Sequence, residues 1–268
     1  MPEMFAKTDG YEAMMGRWSM RLAPLFVDFA GVRTGARILD MGCGTGSLVH
    51  TLADRAISAS IVGIDPSQTA IDYCRERFSG KPMTFDCGNG MSLPYADNAF
   101  DHSLSLLVFQ FIPQPEKAAN EMRRVTRPGG TVGACTWDSV GGGMEMSSIF
   151  RQEAAKLEPA ANTQAERPRG CNSKGALEAL WRATGLEGVE ETAIEFRTNF
   201  TGFDDYWLPF TMGAGPQGVY VESLSSDSRT ALRDQLRRRL LGHGPDGPFS
   251  LGARAWAVRG TVPLRLRS

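Results

Sequence analysis

The 268-residue chain is long enough to bury a sizeable core, and 42% hydrophobic residues fit a globular protein. A formal net charge of -1 and a pI near 6.3 leave no excess of positive charge to hold a phosphate backbone, which argues against nucleic acid as the main partner. The five cysteines, Cys43, Cys74, Cys87, Cys135 and Cys171, form no CxxC pair and have no histidine nearby, so neither a disulfide frame nor a metal site is expected.

The N-terminus carries Glu3, Lys7 and Asp9 before any long apolar run, and the best apolar stretch, 22–32, is broken by Pro24 and Asp28. No signal peptide or membrane span is expected, and the default address is cytoplasmic. Residues 11–30 read as a helix with Met14, Trp18, Leu22, Leu25 and Phe29 on one side. From 36 to 138, short apolar runs alternate with helical periodicity. The runs are 37–41, 60–65, 83–87, 102–108 and 131–137. Between the last two, 114–126 predicts a helix with Pro115 at its first position and Ala118, Met122 and Val125 at helical spacing, stopped by Pro128-Gly129-Gly130. Strands alternating with helices imply a parallel sheet covered on both faces. Further on, 139–169 looks like a helical insertion with a polar loop and 173–184 like a helix. Residues 189–200 read as a strand, 203–242 as mostly helical with a break at "GAGPQG", and 253–262 as a final strand. No internal repeat shows.

The stretch "ILDMGCGTG", 38–46, runs a strand straight into a glycine-rich turn. Backbone N–H groups there and the N-terminus of the following helix point at whatever sits above the turn. A Walker loop is excluded because no lysine follows. The dinucleotide fingerprint GxGxxG would begin at Gly42 and Gly44, but its third glycine position holds Ser47. What remains is D-x-G-x-G-x-G, carried by Asp40, Gly42, Gly44 and Gly46. In "IVGIDPSQ", Asp65 follows the glycines by about 20 residues, a placement suited to accepting hydrogen bonds from two ribose hydroxyls. It equally suits a helix N-cap with Pro66 at the first helical position, and the two roles use different oxygens.

The glycine pattern resembles motif I of the class I S-adenosylmethionine-dependent methyltransferases, where the loop, here including Cys43, wraps the methionine part of the cofactor. "CGNGMSLPYADNAFD" resembles the family segment GDAxxLPFxDxSFD. The family's adenine-binding acid is replaced by Asn89, whose oxygen can still accept, with the backbone of Gly90 and Met91 beside it. Residues 100–138 resemble the fourth strand, its helix and the RPGG turn into the fifth. "YEAMMGRWS" and "LGARAWAVRGTVP" look like the N-terminal helix and closing strand of the bacterial branch related to ubiquinone and menaquinone methyltransferases. The resemblance implies an α/β, Rossmann-like, doubly wound sheet of seven strands with the last antiparallel, an N-terminal helix and a helical cap. In a single domain, 1–35 would be the helical lid, 36–138 the cofactor-binding core, 139–252 the cap insertions with the sixth strand, and 253–268 the closing strand and tail. It also implies S-adenosylmethionine as cofactor and S-adenosylhomocysteine as product. By the same resemblance Pro66 and Gln68 belong to the cofactor site, the backbone oxygen of Leu106 receives the cofactor's ammonium, and Tyr11 and Arg17 approach the loop; Arg17 either pairs with the cofactor carboxylate or is a surface charge, with Trp18 and the methionines as core.

A sulfonium methyl is already activated, so transfer is an in-line displacement needing alignment and exclusion of water. The carboxyl ends of strands four and five nominate Leu106, Leu107, Gln110 and Phe111, then Trp137 and Asp138. The leucines and Phe111 serve equally as core, and Gln110, which breaks the apolar run "LLVFQFI", needs a polar partner if buried. In the cap, Tyr206, Trp207, Phe210 and Tyr220 either line a substrate pocket or fasten the cap to the sheet. Arg237, Arg238 and Arg239 read as the solvated face of a helix. Of the three histidines, His50 and His102 read as structural or exposed and His243 as a loop residue, so no catalytic base is assigned. The expected function is methyl transfer to a small-molecule O, N or C nucleophile. The alternative is a cofactor-binding regulatory protein of the same fold. A nicotinamide oxidoreductase is disfavoured by Ser47. Oligomeric state is not legible.

Overall fold

The computed structural model describes residues 12–55, 58–157, 170–213 and 215–264. The five apolar runs of the first half form β1 (Ala36–Met41), β2 (Ser58–Asp65), β3 (Met83–Cys87), β4 (Phe100–Leu106) and β5 (Thr126–Trp137). They pair in parallel, and the seven-stranded sheet has the order β3-β2-β1-β4-β5-β7-β6, completed by β6 (Glu187–Phe200) and β7 (Phe249–Thr261). β7 runs antiparallel to both β5 and β6, as expected for an inserted last strand. Ile38, Leu39, Asp40 and Met41 are all buried, the continuous burial of a central strand covered on both faces. Strand order reverses between β1 and β4, so the connections leaving their carboxyl ends diverge and open a crevice there.

One face of the sheet is covered by α1 (Arg17–Ala30), α2 (Ser47–Asp54) and α3 (Gln68–Arg77), the other by α4 (Pro115–Val125) and α6 (Ala176–Ala183). A π-helical turn, Glu12–Gly16, leads into α1. The buried stripe of α1 is Trp18, Ser19, Leu22, Ala23, Phe26, Val27 and Ala30. It is centred to one side of the expected set, so Leu25 is 40% exposed, while Phe26 takes the core position. Alternate alanines on β7, Ala253, Ala255 and Ala257, are buried against this layer. On the opposite face Trp181 of α6 is fully buried and donates its indole N–H to the carbonyl of Val132 at 2.9 Å.

The turn Pro128-Gly129-Gly130 does not stop α4. The helix ends at Val125, and Thr126 opens β5 at once, its hydroxyl donating to the Met122 carbonyl at 2.6 Å. Gly129 and Gly130 instead exchange backbone hydrogen bonds with Val262 at the end of β7. Gly129 has φ of 73°, a left-handed conformation that favours glycine.

The cap consists of α5 (Glu145–Leu157), α7 (Phe203–Trp207), a 3-10 turn (Leu208–Met212), α8 (Gly215–Ser223) and α9 (Ser226–Leu241). The helical break falls at Gly213, whose φ is 68°, whereas Gly215 to Gly218 already belong to α8. Leu232 and Leu236 bury the inner face of α9, and Arg238 and Arg239 face solvent. Among the described residues no helix is long and apolar enough to cross a membrane.

Candidate functional site: a glycine loop and two adjoining cavities

β1 ends in a loop whose three glycines adopt conformations that a side chain would strain: φ is 79° at Gly42, 50° at Gly44 and 86° at Gly46. At two of them the space is also filled. A Cβ on Gly42 would stand 2.5 Å from Val108, and one on Gly46 would stand 2.7 Å from Phe78. Gly44 differs, because nothing lies within 4 Å of its missing Cβ, so its open side faces the crevice. The loop is anchored to β2. The Gly42 and Cys43 N–H groups both donate to the Ile64 carbonyl, at 2.7 and 3.1 Å. Cys74 donates its thiol hydrogen to the Gly44 carbonyl at 3.2 Å. Cys43 is buried beneath the loop, where a hydrogen bond with Cys74 and burial hold its thiol well above the ordinary range.

Asp65 ties this loop to the next turn. One carboxyl oxygen accepts the Gly44 N–H at 3.1 Å and the other the Ser67 N–H at 2.9 Å. It does not cap α3. That helix begins at Gln68 and its N-cap is Ser67, whose hydroxyl accepts the Ala70 N–H at 3.3 Å, so Pro66 stands before the helix. Each Asp65 oxygen keeps a further lone pair for a ribose hydroxyl. Burial raises its carboxyl, while the two backbone N–H groups pull it back down.

Behind the loop lies a cavity lined by Asp40, Gly42, Gly44, Leu106 and Leu107, with Ser19 of α1 closing one side. Asp40 is 1% exposed, and neither of its carboxyl oxygens has a hydrogen-bond partner. Burial first, and then the negative charge of Asp65, push its carboxyl up to about 8. A buried carboxyl with no partner is costly unless a ligand supplies one, and an ammonium entering this cavity would do so. The orphaned acid, the open side of Gly44 and the Asp65 brace together fit the aminoacyl and ribose parts of an adenosyl amino acid.

Leu107 is the partition to a second cavity. It is one of two non-glycine described residues with positive φ, at 64°, and its N–H is held by the Cys135 carbonyl at 2.7 Å. This strained position turns the chain so that a 3-10 turn, Phe109–Phe111, follows β4 directly. The second cavity gathers Leu107, Gln110 and Phe111 from this turn and Trp137 from β5, residues nominated from strand ends alone. Met14, Met15, Ser139, Met144 and the Gly215-Pro216-Gln217 start of α8 complete it, with Ser147 and Arg151 of α5. These last contributions were not foreseen. The methionines read as core, and the only sequence signal for α8 is its glycine, since a Cβ on Gly215 would stand 2.7 Å from Met14.

Several expected contacts are made elsewhere. Arg17 does not stand free for a cofactor carboxylate. Its guanidinium makes a two-pronged pair with Asp205 of α7, at 3.1 and 2.5 Å, and lies over Phe200. That pair keeps Asp205 below the usual carboxylate range. Gln68 donates to Asp72 at 2.7 Å on the exposed side of α3. The Asn89 oxygen accepts the Met91 N–H at 2.9 Å and closes a local turn, which leaves one lone pair for an adenine amino group. A Cβ on neighbouring Gly90 would stand 2.7 Å from Met41, which packs the backbone tightly there. Tyr11 lies outside the described residues. Asp138 is 2% exposed and paired with Arg254, bracing the glycine turn 141–143 away from the second cavity. His102 sits at the far end of β4, lowered to about 4 chiefly by burial, and His50 pairs with Asp54.

Tyr206, Trp207 and Phe210 line neither cavity. Tyr206 is 0% exposed, packs edge-on against Phe200 and Phe210, and donates its hydroxyl to the Met146 carbonyl at 3.1 Å. Phe210 stacks on Phe150 at 4.5 Å. These aromatics are the core of the cap. We therefore expect Tyr206→Ala to cost about 3–5 kcal/mol of stability, read by denaturant unfolding, while leaving cofactor affinity per folded molecule unchanged. Loss of affinity without loss of stability would return Tyr206 to the ligand site.

Residues 39–133 match the family model described as a methyltransferase domain. Over those residues the chain is similar to methyltransferase domains. In sequence, 160 residues are 30% identical to an uncharacterized methyltransferase of Mycobacterium tuberculosis, covering 59% of this chain and 62% of that one. A further 120 residues' alignment, 32% identical, relates it to an uncharacterized protein of the same species and covers 45% of this chain. The chain thus spans 44% of that second relative's length. In structure, the methyltransferase fold is shared with a putative methyltransferase from Bacillus halodurans at TM-score 0.57 and 14% identity, covering 90% of this chain and 99% of the other. It is shared too with phosphoethanolamine N-methyltransferase 2 of Haemonchus contortus, a structure in complex with S-adenosyl-L-methionine, at TM-score 0.57 and 18% identity, covering 95% of this chain and 56% of the other.

Proposed function

We propose that this chain is an S-adenosylmethionine-dependent methyltransferase acting on a small-molecule acceptor in the cytoplasm. We further assign it to the bacterial branch related to ubiquinone and menaquinone methyltransferases, on its N-terminal helix and closing strand. The observation that carries the activity is Asp40, a fully buried carboxyl without a partner, facing a cavity that adjoins a second, largely apolar one across Leu107. The sulfonium supplies an activated methyl group. The chain's part is alignment: Asp40 and the Leu106 carbonyl receive the ammonium end, Asp65 the ribose hydroxyls, and the backbone at Gly90 and Met91 lies along the adenine. Leu107, Phe111 and Trp137 keep water from the line between the cavities.

The second reading is a protein that binds the cofactor without transferring its methyl group. It draws on the second cavity, whose described lining includes no histidine, lysine or carboxylate to act as a base. Incubation with methyl-labelled cofactor and a broad metabolite extract separates the two. Label in an extract component supports transfer, and cofactor binding without label transfer supports the binding protein.

A further inference from the structure

The second cavity carries a statement about the acceptor, and it rests on the methyl-transfer reading. Gln110 projects from the turn after β4 into this cavity, and its side-chain oxygen Oε1 is buried with no hydrogen-bond partner. A buried amide oxygen is an acceptor that needs a donor, and leaving it unmet is costly. Much of the remaining wall is flat and polarisable, made by Trp137, Phe111 and the thioethers of Met14, Met15 and Met144, and the cation of its described lining, Arg151, already has a partner of its own. No acidic residue is among its described lining, so a cationic acceptor would meet no counter-charge and would face the sulfonium as well.

We propose that the acceptor is a neutral aromatic amine whose ring lies against Trp137 and the methionines and whose N–H is donated to Gln110 Oε1. Three features select it. A phenol needs a base to become a good nucleophile, and the described wall holds none. A carboxylate would set its own lone pairs against Gln110 Oε1. An alkylamine is protonated at neutral pH, whereas an arylamine keeps a free nitrogen lone pair. In the step, that lone pair forms the new N–CH3 bond as the C–S bond breaks, and its electrons return to sulfur as a neutral thioether. The positive charge passes to nitrogen, and the extra proton leaves to water.

The test uses the full chain saturated with S-adenosylhomocysteine, titrated with aniline, phenol, benzoate and N,N-dimethylaniline, and the same ring series assayed for methyl transfer with S-adenosylmethionine. Aniline is expected to bind and to be methylated on nitrogen. Gln110→Leu should weaken aniline binding about tenfold, equivalent to about 1.4 kcal/mol. It should leave binding of N,N-dimethylaniline, which has no N–H to donate, and of S-adenosylmethionine unchanged. Gln110→Glu, which keeps an acceptor, should retain aniline binding. Methylation of phenol or benzoate in preference to aniline would overturn the proposal, as would aniline affinity unmoved by Gln110→Leu. If S-adenosylmethionine itself does not bind, it is the methyl-transfer reading that fails.

Discussion

Replacing Asp40 by asparagine is expected to weaken S-adenosylmethionine binding about a hundredfold near pH 8.5 while making the cofactor-free protein more stable there. The affinity loss follows because a carboxylate facing an ammonium in a buried site is worth several kcal/mol, and an amide retains only part of it. The gain in stability follows from the sign of the shift. Asp40 titrates at about 8 in the folded chain against 3.8 for an ordinary aspartate. Between those values the folded state holds a proton that the unfolded state has lost, so stability falls as pH rises through that window. Asparagine cannot ionise and escapes that fall. The same shift makes cofactor binding pH-dependent. An arriving ammonium favours the ionised carboxyl, so wild-type affinity should rise from pH 6 to 8 and then level. Calorimetry at pH 7 in buffers of differing ionisation heat should show close to one proton released from Asp40 per cofactor bound. Binding by Asp40→Asn should show that contribution lost. Equal affinity and equal proton release in the two proteins would remove Asp40 from the site.

Asp65→Ala is expected to lower cofactor affinity by at least about tenfold and also to destabilise the fold, a stability change of opposite sign to that of Asp40→Asn. Asp65 is 6% exposed, and its carboxyl accepts the Gly44 and Ser67 N–H groups. Alanine removes the ribose acceptor and leaves two backbone donors unmet, at about 1–3 kcal/mol for each buried group. The destabilisation is read by denaturant unfolding and the affinity by titration at a temperature where the variant remains folded. An unchanged affinity would refute the ribose role and leave Asp65 as a brace alone.

The parts of the fold and site that were legible in the sequence are those fixed by local chemistry. β3 occupies the bounds read from its apolar run, and the glycine loop occurs where alternate glycines follow a buried strand. Residues separated in sequence but gathered by the switch point, Gln110 and Trp137 among them, were reachable because strand ends converge. What failed depends on distant partners or on small choices of direction. Arg17 meets Asp205, 188 residues away, and nothing local in either segment announces the pair. An aromatic cluster in a cap fits a pocket or a core equally well by composition, and only packing decides that Tyr206 is core. Asn89 carries the donors and acceptors expected of it but uses its oxygen on its own turn, a competition that Asn side chains commonly enter. Leu107 has no sequence signal at all, since leucine rarely adopts a positive φ.

Calorimetric titration of the wild-type chain with S-adenosylmethionine, and separately with NADH, tests the central claim most directly. We predict saturable binding of one S-adenosylmethionine per chain, tightening from pH 6 to 8, and no comparable binding of NADH. Tight binding of NADH with no binding of the sulfonium cofactor would contradict the assignment.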